Sequence, residues 1–181
     1  MMGLKKKVGM GVVAGALMLV LTAGVALAAT ITCPNNPGTT SCVSGDDSDK
    51  LLGTSLRDDM FGNGGNDVIY AYDANTYDVM YGGSGDDRMV GGPSHDSMYG
   101  EAGSDTLVGG EDPDFLNAEV NETALSGPDT LRAGSGNDTI RALNDKQDFI
   151  NCGTGAGDRV LTYDVGVDRV SKSCEFFGDP I

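Results

Sequence analysis

Residues 82–90 read GGSGDDRMV, and residues 62–70, 100–108 and 133–141 read GNGGNDVIY, GEAGSDTLV and AGSGNDTIR. In each, a glycine-rich half ends on an aspartate and an aliphatic side chain follows two residues later. Aligned on that aspartate, the pattern runs through Asp49, Asp58, Asp67, Asp78, Asp87, Asp96, Asp105 and Asp114 in steps of nine or eleven residues. It resumes at Asp129, Asp138, Asp148, Asp158 and Asp168. The residues two further on are Leu51, Met60, Ile69, Met80, Met89, Met98, Leu107, Leu116, Leu131, Ile140, Ile150, Val160 and Val170, aliphatic in all thirteen cases. A phase that never slips marks a repeat architecture, so the unit and its stacking decide the fold.

A strand as short as about three residues still alternates its side chains between two faces. The aliphatic residue therefore points inward and its neighbours point outward. The half before the aspartate must reverse the chain, and its glycines accept the positive φ values that a tight turn demands. Two units close one flattened coil of about eighteen residues, and coils stack at the strand spacing of ~4.8 Å. Thirteen units then predict roughly six and a half coils of an all-β fold, a right-handed parallel β-roll or solenoid. Same-side aspartates alternate along the list. One row is Asp49, Asp67, Asp87, Asp105, Asp129, Asp148 and Asp168, and the other is Asp58, Asp78, Asp96, Asp114, Asp138 and Asp158.

Carboxylates stacked one strand apart repel each other, so a cation is expected between the rungs. Calcium suits an all-oxygen set of aspartates and turn carbonyls, because it takes 6–8 oxygen ligands at 2.3–2.6 Å in flexible geometry. Magnesium demands a stricter octahedron, and zinc favours histidine or cysteine. Ca²⁺ is accordingly the expected cofactor, at the weak affinity of extracellular modules, ~10⁻⁴–10⁻³ M.

Over about residues 44–171 the units resemble the G-G-x-G-x-D-x-U-x nonapeptide of the repeats-in-toxin (hemolysin-type) calcium-binding family, U being a large aliphatic residue. The cysteine pairs outside the repeats are similar to those of small exported bacterial calcium-binding proteins made of little else. The resemblance implies ions between successive turns, held by aspartates and by main-chain oxygens of the glycine positions. Carried over by position, the metal residues are Asp58, Asp67, Asp87, Asp96, Asp105, Asp114 and Asp138, with Gly62, Gly64, Gly82, Ser84, Gly85, Gly91, Gly100, Ala102 and Gly109. Ser94 and Asp112 replace the fourth-position glycine, and Asp73-Ala74-Asn75-Thr76-Tyr77 contains no glycine. The units ending at Asp148 and Asp158 carry an extra residue, so the nearby disulfide is expected to hold those coils.

Lys5, Lys6 and Lys7 precede an apolar run and Ala26-Leu27-Ala28-Ala29, which predicts a secretory signal peptide over 1–28; an uncleaved anchor is the competing reading. A cap over 29–43, the roll over 44–171 with an insertion at 115–128, and a cap over 172–181 complete the organisation. Without the three leader lysines, 9 basic side chains face 27 acidic ones, a balance that opposes nucleic-acid binding. Cys33, Cys42, Cys152 and Cys174 are an even set in an exported chain and predict two disulfides. Three pairings are possible, and the close pairs would each staple one end.

A core one side chain wide cannot offset the chain entropy alone. The metal-free chain is thus expected to be largely disordered and to fold on calcium. The function read from the sequence is that of a secreted, extracellular, monomeric calcium-binding protein and not an enzyme. His95, the single histidine, sits in a variable turn position, and no nucleophile motif is present. The alternatives are a surface adhesin or carbohydrate-binding roll with a polysaccharide or cell-surface partner, and a β-helical polysaccharide lyase or epimerase. Phe61, Tyr81 and Tyr99 fall one coil apart on the outside, either as a stacked ladder or as a platform for sugar rings.

Overall fold

The computed structural model describes residues 28–34, 40–72, 76–119 and 126–178. The expected signal peptide therefore lies almost wholly outside the described residues, and among those residues no helix is long and apolar enough to cross a membrane. In chain order the strands are β1 Thr30–Thr32, β2 Thr40–Val43, β3 Lys50–Leu52, β4 Asp58–Phe61, β5 Val68–Tyr70, β6 Val79–Ser84, β7 Arg88–Gly92 and β8 Ser97–Ala102. They continue with β9 Thr106–Gly110, β10 Phe115–Asn117, β11 Thr130–Ser135, β12 Thr139–Ala142, β13 Phe149–Thr154, β14 Arg159–Tyr163, β15 Arg169–Val170 and β16 Phe176–Phe177. Odd strands form one eight-stranded sheet and even strands the other, each stacked in chain order, and the pairings are parallel. Parallel neighbours two strands apart in sequence, alternating between two sheets, make a β-roll of about seven turns.

The stacking follows the aliphatic column. Met60 faces Met80 in register, Met80 faces Met98, and Leu116 pairs with Met98 on one side and Ile140 on the other. Leu51, Met60, Ile69, Met80, Met89, Met98, Leu107, Leu116, Leu131, Ile140, Ile150 and Val160 are all fully buried, and each contributes on the order of 1.5–3 kcal/mol by leaving water. Val170, at the last rung of its sheet, is only half-buried. A second inward position lies two residues further on, occupied by Ala71, Ala118, Ala133, Ala142 and Cys152 or by glycines such as Gly82 and Gly100. The core thus narrows toward each turn.

Cys33 bonds to Cys42 and Cys152 to Cys174, with Cα–Cα distances of 5.0 and 5.1 Å, so the close pairs hold of the three possible pairings. The segments expected as caps also join the ladders, since β1, β2 and β16 supply terminal rungs. The insertion expected over 115–128 begins later: Phe115–Asn117 is strand β10, in register with β8 and β12, and 120–125 lie outside the described residues. The step from Asp158 to Asp168 is also ten residues long, and its additional residue sits in a strand, because Arg141 pairs with Thr162 while Ile140 pairs with Val160, leaving Leu161 as a bulge.

Phe61, Tyr81 and Tyr99 stack on the outer face of the even sheet, with centroids 5.0 and 4.9 Å apart and ring planes within 3° and 9°. Both faces of Tyr81 are covered by its neighbours, whereas a sugar platform needs open ring faces. The arrangement is that of a structural ladder.

Candidate metal sites in the turns

Each repeat aspartate stands at the head of its strand with its side chain buried beneath the turn. Asp49, Asp67, Asp87, Asp105, Asp129 and Asp148 are buried along one row, and Asp58, Asp78, Asp96, Asp114, Asp138 and Asp158 along the other. Each row is knitted by the same hydrogen bond. The backbone N–H of Asp67 donates to Asp87 Oδ1 at 2.8 Å, that of Asp87 to Asp105 Oδ1 at 2.8 Å, and that of Asp105 to Asp129 Oδ1 at 2.7 Å. In the second row Asp78 donates to Asp96, Asp96 to Asp114 and Asp114 to Asp138, at 2.9, 2.8 and 2.8 Å. The rows read from the alternation of the repeat are therefore the rows in the fold.

This bond uses one carboxylate oxygen. The other oxygen, Oδ2, is buried without a hydrogen bond in Asp67, Asp87, Asp105, Asp114, Asp138, Asp148 and Asp158. In five units its neighbour is the first glycine of the turn. A Cβ added to Gly100 would lie 2.5 Å from Asp105 Oδ2 and 2.7 Å from the Ala118 carbonyl oxygen. One added to Gly91 would lie 2.5 Å from Asp96 Oδ2 and 2.9 Å from the Gly109 oxygen. Gly62, Gly82 and Gly109 occupy the same place against Asp67, Asp87 and Asp114. A carboxylate oxygen and a carbonyl oxygen of the next coil thus face one small space, and both are acceptors. In Asp67, Asp87, Asp105 and Asp114 the carboxylate oxygen has no donor, and a cation or a proton is needed there.

The electrostatics follow. Burial pushes Asp87 and Asp105 up to about 7 and Asp114 up to about 8, against the pull of the neighbouring aspartate N–H and with a further push from adjacent carboxylates. Asp138 rises to about 6, and Asp67 is raised for the same reason. Among the described residues no three acidic, histidine or cysteine side chains converge as a side-chain metal cluster. A cation between rungs must therefore draw on main-chain oxygens as well. In the turns Gly64, Ser84 and Ala102 stand in register on successive coils.

The sharp reversal is made at Gly83 and Gly85, with φ of 110° and 122°, where a side chain would strike Asn63 and Gly65 of the coil below. Where the sequence departs from glycine, the turn keeps its shape. Ser94 and Asp112 hold φ of 99° and 64°, and Ser94 Oγ donates to the Thr76 carbonyl at 2.6 Å. Asn75 and its two predecessors lie outside the described residues.

Two donors were not foreseen. Thr54 meets Asp58 Oδ2 with its N–H at 2.6 Å and its hydroxyl at 3.1 Å, and the Asn144 amide enters the first row beside Asp129. Both stand four residues before a repeat aspartate, where a polar side chain in place of glycine was the available signal.

Residues 52–75, 81–116 and 123–146 match the family model described as RTX calcium-binding nonapeptide repeat (4 copies). No curated protein and no solved structure matches the chain.

Proposed function

This chain carries the repeats of the RTX calcium-binding family, which bind Ca²⁺, and from that premise we propose that it is an exported protein whose β-roll, once its buried aspartates ionise, folds only as calcium enters its turns. The observation that carries the reading is the file of buried Oδ2 atoms facing carbonyl oxygens. Asp67, Asp87 and Asp105 would hold ions in the first row, and Asp96, Asp114 and Asp138 in the second. Main-chain oxygens around Gly62, Gly64, Gly82, Ser84, Gly85, Gly91, Gly100, Ala102 and Gly109 complete the oxygen set, a donor chemistry that fits calcium. The bound ion supplies the positive charge that the paired acceptors lack. Asp58 joins this set only if Thr54 yields its place.

Folding and binding are coupled because the same carboxylates must be desolvated whether or not metal is present. Raising Asp87 and Asp105 from 3.8 to about 7 corresponds to on the order of 4 kcal/mol apiece at about 1.4 kcal/mol per unit. Two residues then consume a large part of the ~5–15 kcal/mol that ordinarily separates folded from unfolded chains. Export fits both the leader-like N-terminus and the disulfides, which persist in oxidising compartments. The repeats support the role of a non-catalytic calcium module.

Calcium titration of the leader-free protein by calorimetry, paired with circular dichroism, tests this. A saturable uptake of several ions that develops the β-signal is expected. A β-rich spectrum unchanged by chelator at pH 8 would remove the coupling, and absence of uptake would remove the function.

A further inference from the structure

In the first row a side-chain amide closes the Asp129–Asp148 rung, whereas Asp49 and Asp168 Oδ2 accept main-chain N–H groups from Gly45 and Asp164. Between Asp129 and Asp148, the Asn144 amide nitrogen lies 3.1 Å from Asp129 Oδ2, 3.2 Å from the Gly127 carbonyl, 3.4 Å from Asp148 Oδ1 and 3.4 Å from Ser126 Oγ. Four oxygens thus surround a single donor atom. The other end of the amide is fixed, because the Lys146 N–H donates to Asn144 Oδ1 at 2.7 Å; the nitrogen, not the oxygen, must face the carboxylates. The backbone of the same turn is also held, with the N–H groups of Asn144 and Asp145 donating to Asp164 Oδ2 at 3.0 and 2.7 Å.

We propose that Asn144 takes the place of a calcium ion at the Asp129–Asp148 rung, so that this rung is closed by protein donors and carries no metal. The contrast with the neighbouring rungs is direct. Asp67, Asp87 and Asp105 each bury an Oδ2 without a hydrogen bond, while Asp129 Oδ2 is occupied by the amide. The turn also brings its own positive charge. Burial raises the carboxyl of Glu119 beside this rung and Asp164 adds to the push, while Ser126, Asn144 and, least, Lys146 pull the other way. Thr54 provides a parallel at the other end of the roll, meeting Asp58 Oδ2 with two donors. A segment reading Leu-Asn-Asp-Lys-Gln-Asp at 143–148, without glycine, supplies an amide and an ammonium group where the glycine turns supply carbonyl oxygens.

This inference rests on the calcium-binding reading above, and counting ions separates the two. Native mass spectrometry of the leader-free protein in calcium gives the number bound by the wild type, by Asn144→Ala and by Asn144→Asp. The expected result is an unchanged count for Asn144→Ala and one additional ion for Asn144→Asp, in which a carboxylate replaces the amide among the same oxygens. Loss of one ion in Asn144→Ala would make Asn144 a ligand and overturn the proposal, as would an unchanged count in Asn144→Asp. Should Asn144→Ala fail to fold, the Asn144→Asp count decides alone. A wild type that binds no calcium overturns the proposed function and this inference together.

Discussion

A proton should be able to stand in for calcium. In the metal-free roll Asp87, Asp105 and Asp148 are pushed up to about 7, and Asp114 and Asp129 to about 8, by burial first and by neighbouring carboxylates second. A carboxyl group whose pKa is higher folded than unfolded leaves stability intact below its unfolded value, near 3.9, and removes it as pH rises to the folded value. The window is therefore about pH 4 to 8. With roughly 4 kcal/mol lost for each group raised by about three units, ionising two of them removes a large part of the ~5–15 kcal/mol that holds an ordinary domain folded. The structural reason is local, because a protonated Asp105 no longer buries a charge on its unbonded Oδ2. In chelator, far-ultraviolet circular dichroism should report β-structure near pH 5, lose it between about pH 6 and 8, and regain it at pH 8 on adding calcium. A chelated sample with the same spectrum at pH 5 and pH 8 would refute the reasoning.

Three substitutions and one control probe the other parts of the architecture. Gly82→Ala needs no forbidden φ, but its Cβ would crowd Asp87 Oδ2 and lie 2.7 Å from the Gly100 oxygen. It should cost about 1–3 kcal/mol as overpacking and weaken calcium uptake by calorimetry, whereas Gly45→Ala, with nothing within 4 Å, should leave both unchanged. Met89→Ala removes a fully buried member of the aliphatic column and should lower stability by about 2–5 kcal/mol in calcium, read from denaturant midpoints. Tyr81→Ala breaks two stacked pairs, each worth about 0.5–1.5 kcal/mol beyond burial, and should lower the melting temperature without changing the number of ions bound.

The inward column and the two aspartate rows were legible because both depend on period alone. A strand alternates faces, so fixing Asp87 fixes Met89, and the count to Asp105 fixes the neighbour above. What period cannot carry is the use of each side-chain oxygen. The bond from one aspartate N–H to the next aspartate's Oδ1 depends on the height between coils and on the rotamer, neither of which the spacing states. The terminal rungs were missed for a related reason. Thr30–Thr32 and Thr40–Val43 join the ladders without an aspartate two residues before an inward aliphatic side chain, and Cys42 occupies the column where Met60 stands in the next coil. At Leu161 the additional residue could have gone into turn or strand on the pattern alone. The bulge keeps Val160 beneath Ile140, so holding the core column in register decides where it goes.

The hydrogen-bonded aspartate files have a direction. In every case the donor is the earlier residue and the acceptor side chain belongs to the coil that comes next along the chain, as from Asp67 to Asp87 and from Asp114 to Asp138. Through these aspartate side chains a coil is latched by its successor and not by its predecessor. In a polypeptide that emerges N-terminus first, the newest coil waits open until another arrives, and closure travels one storey behind the growing end.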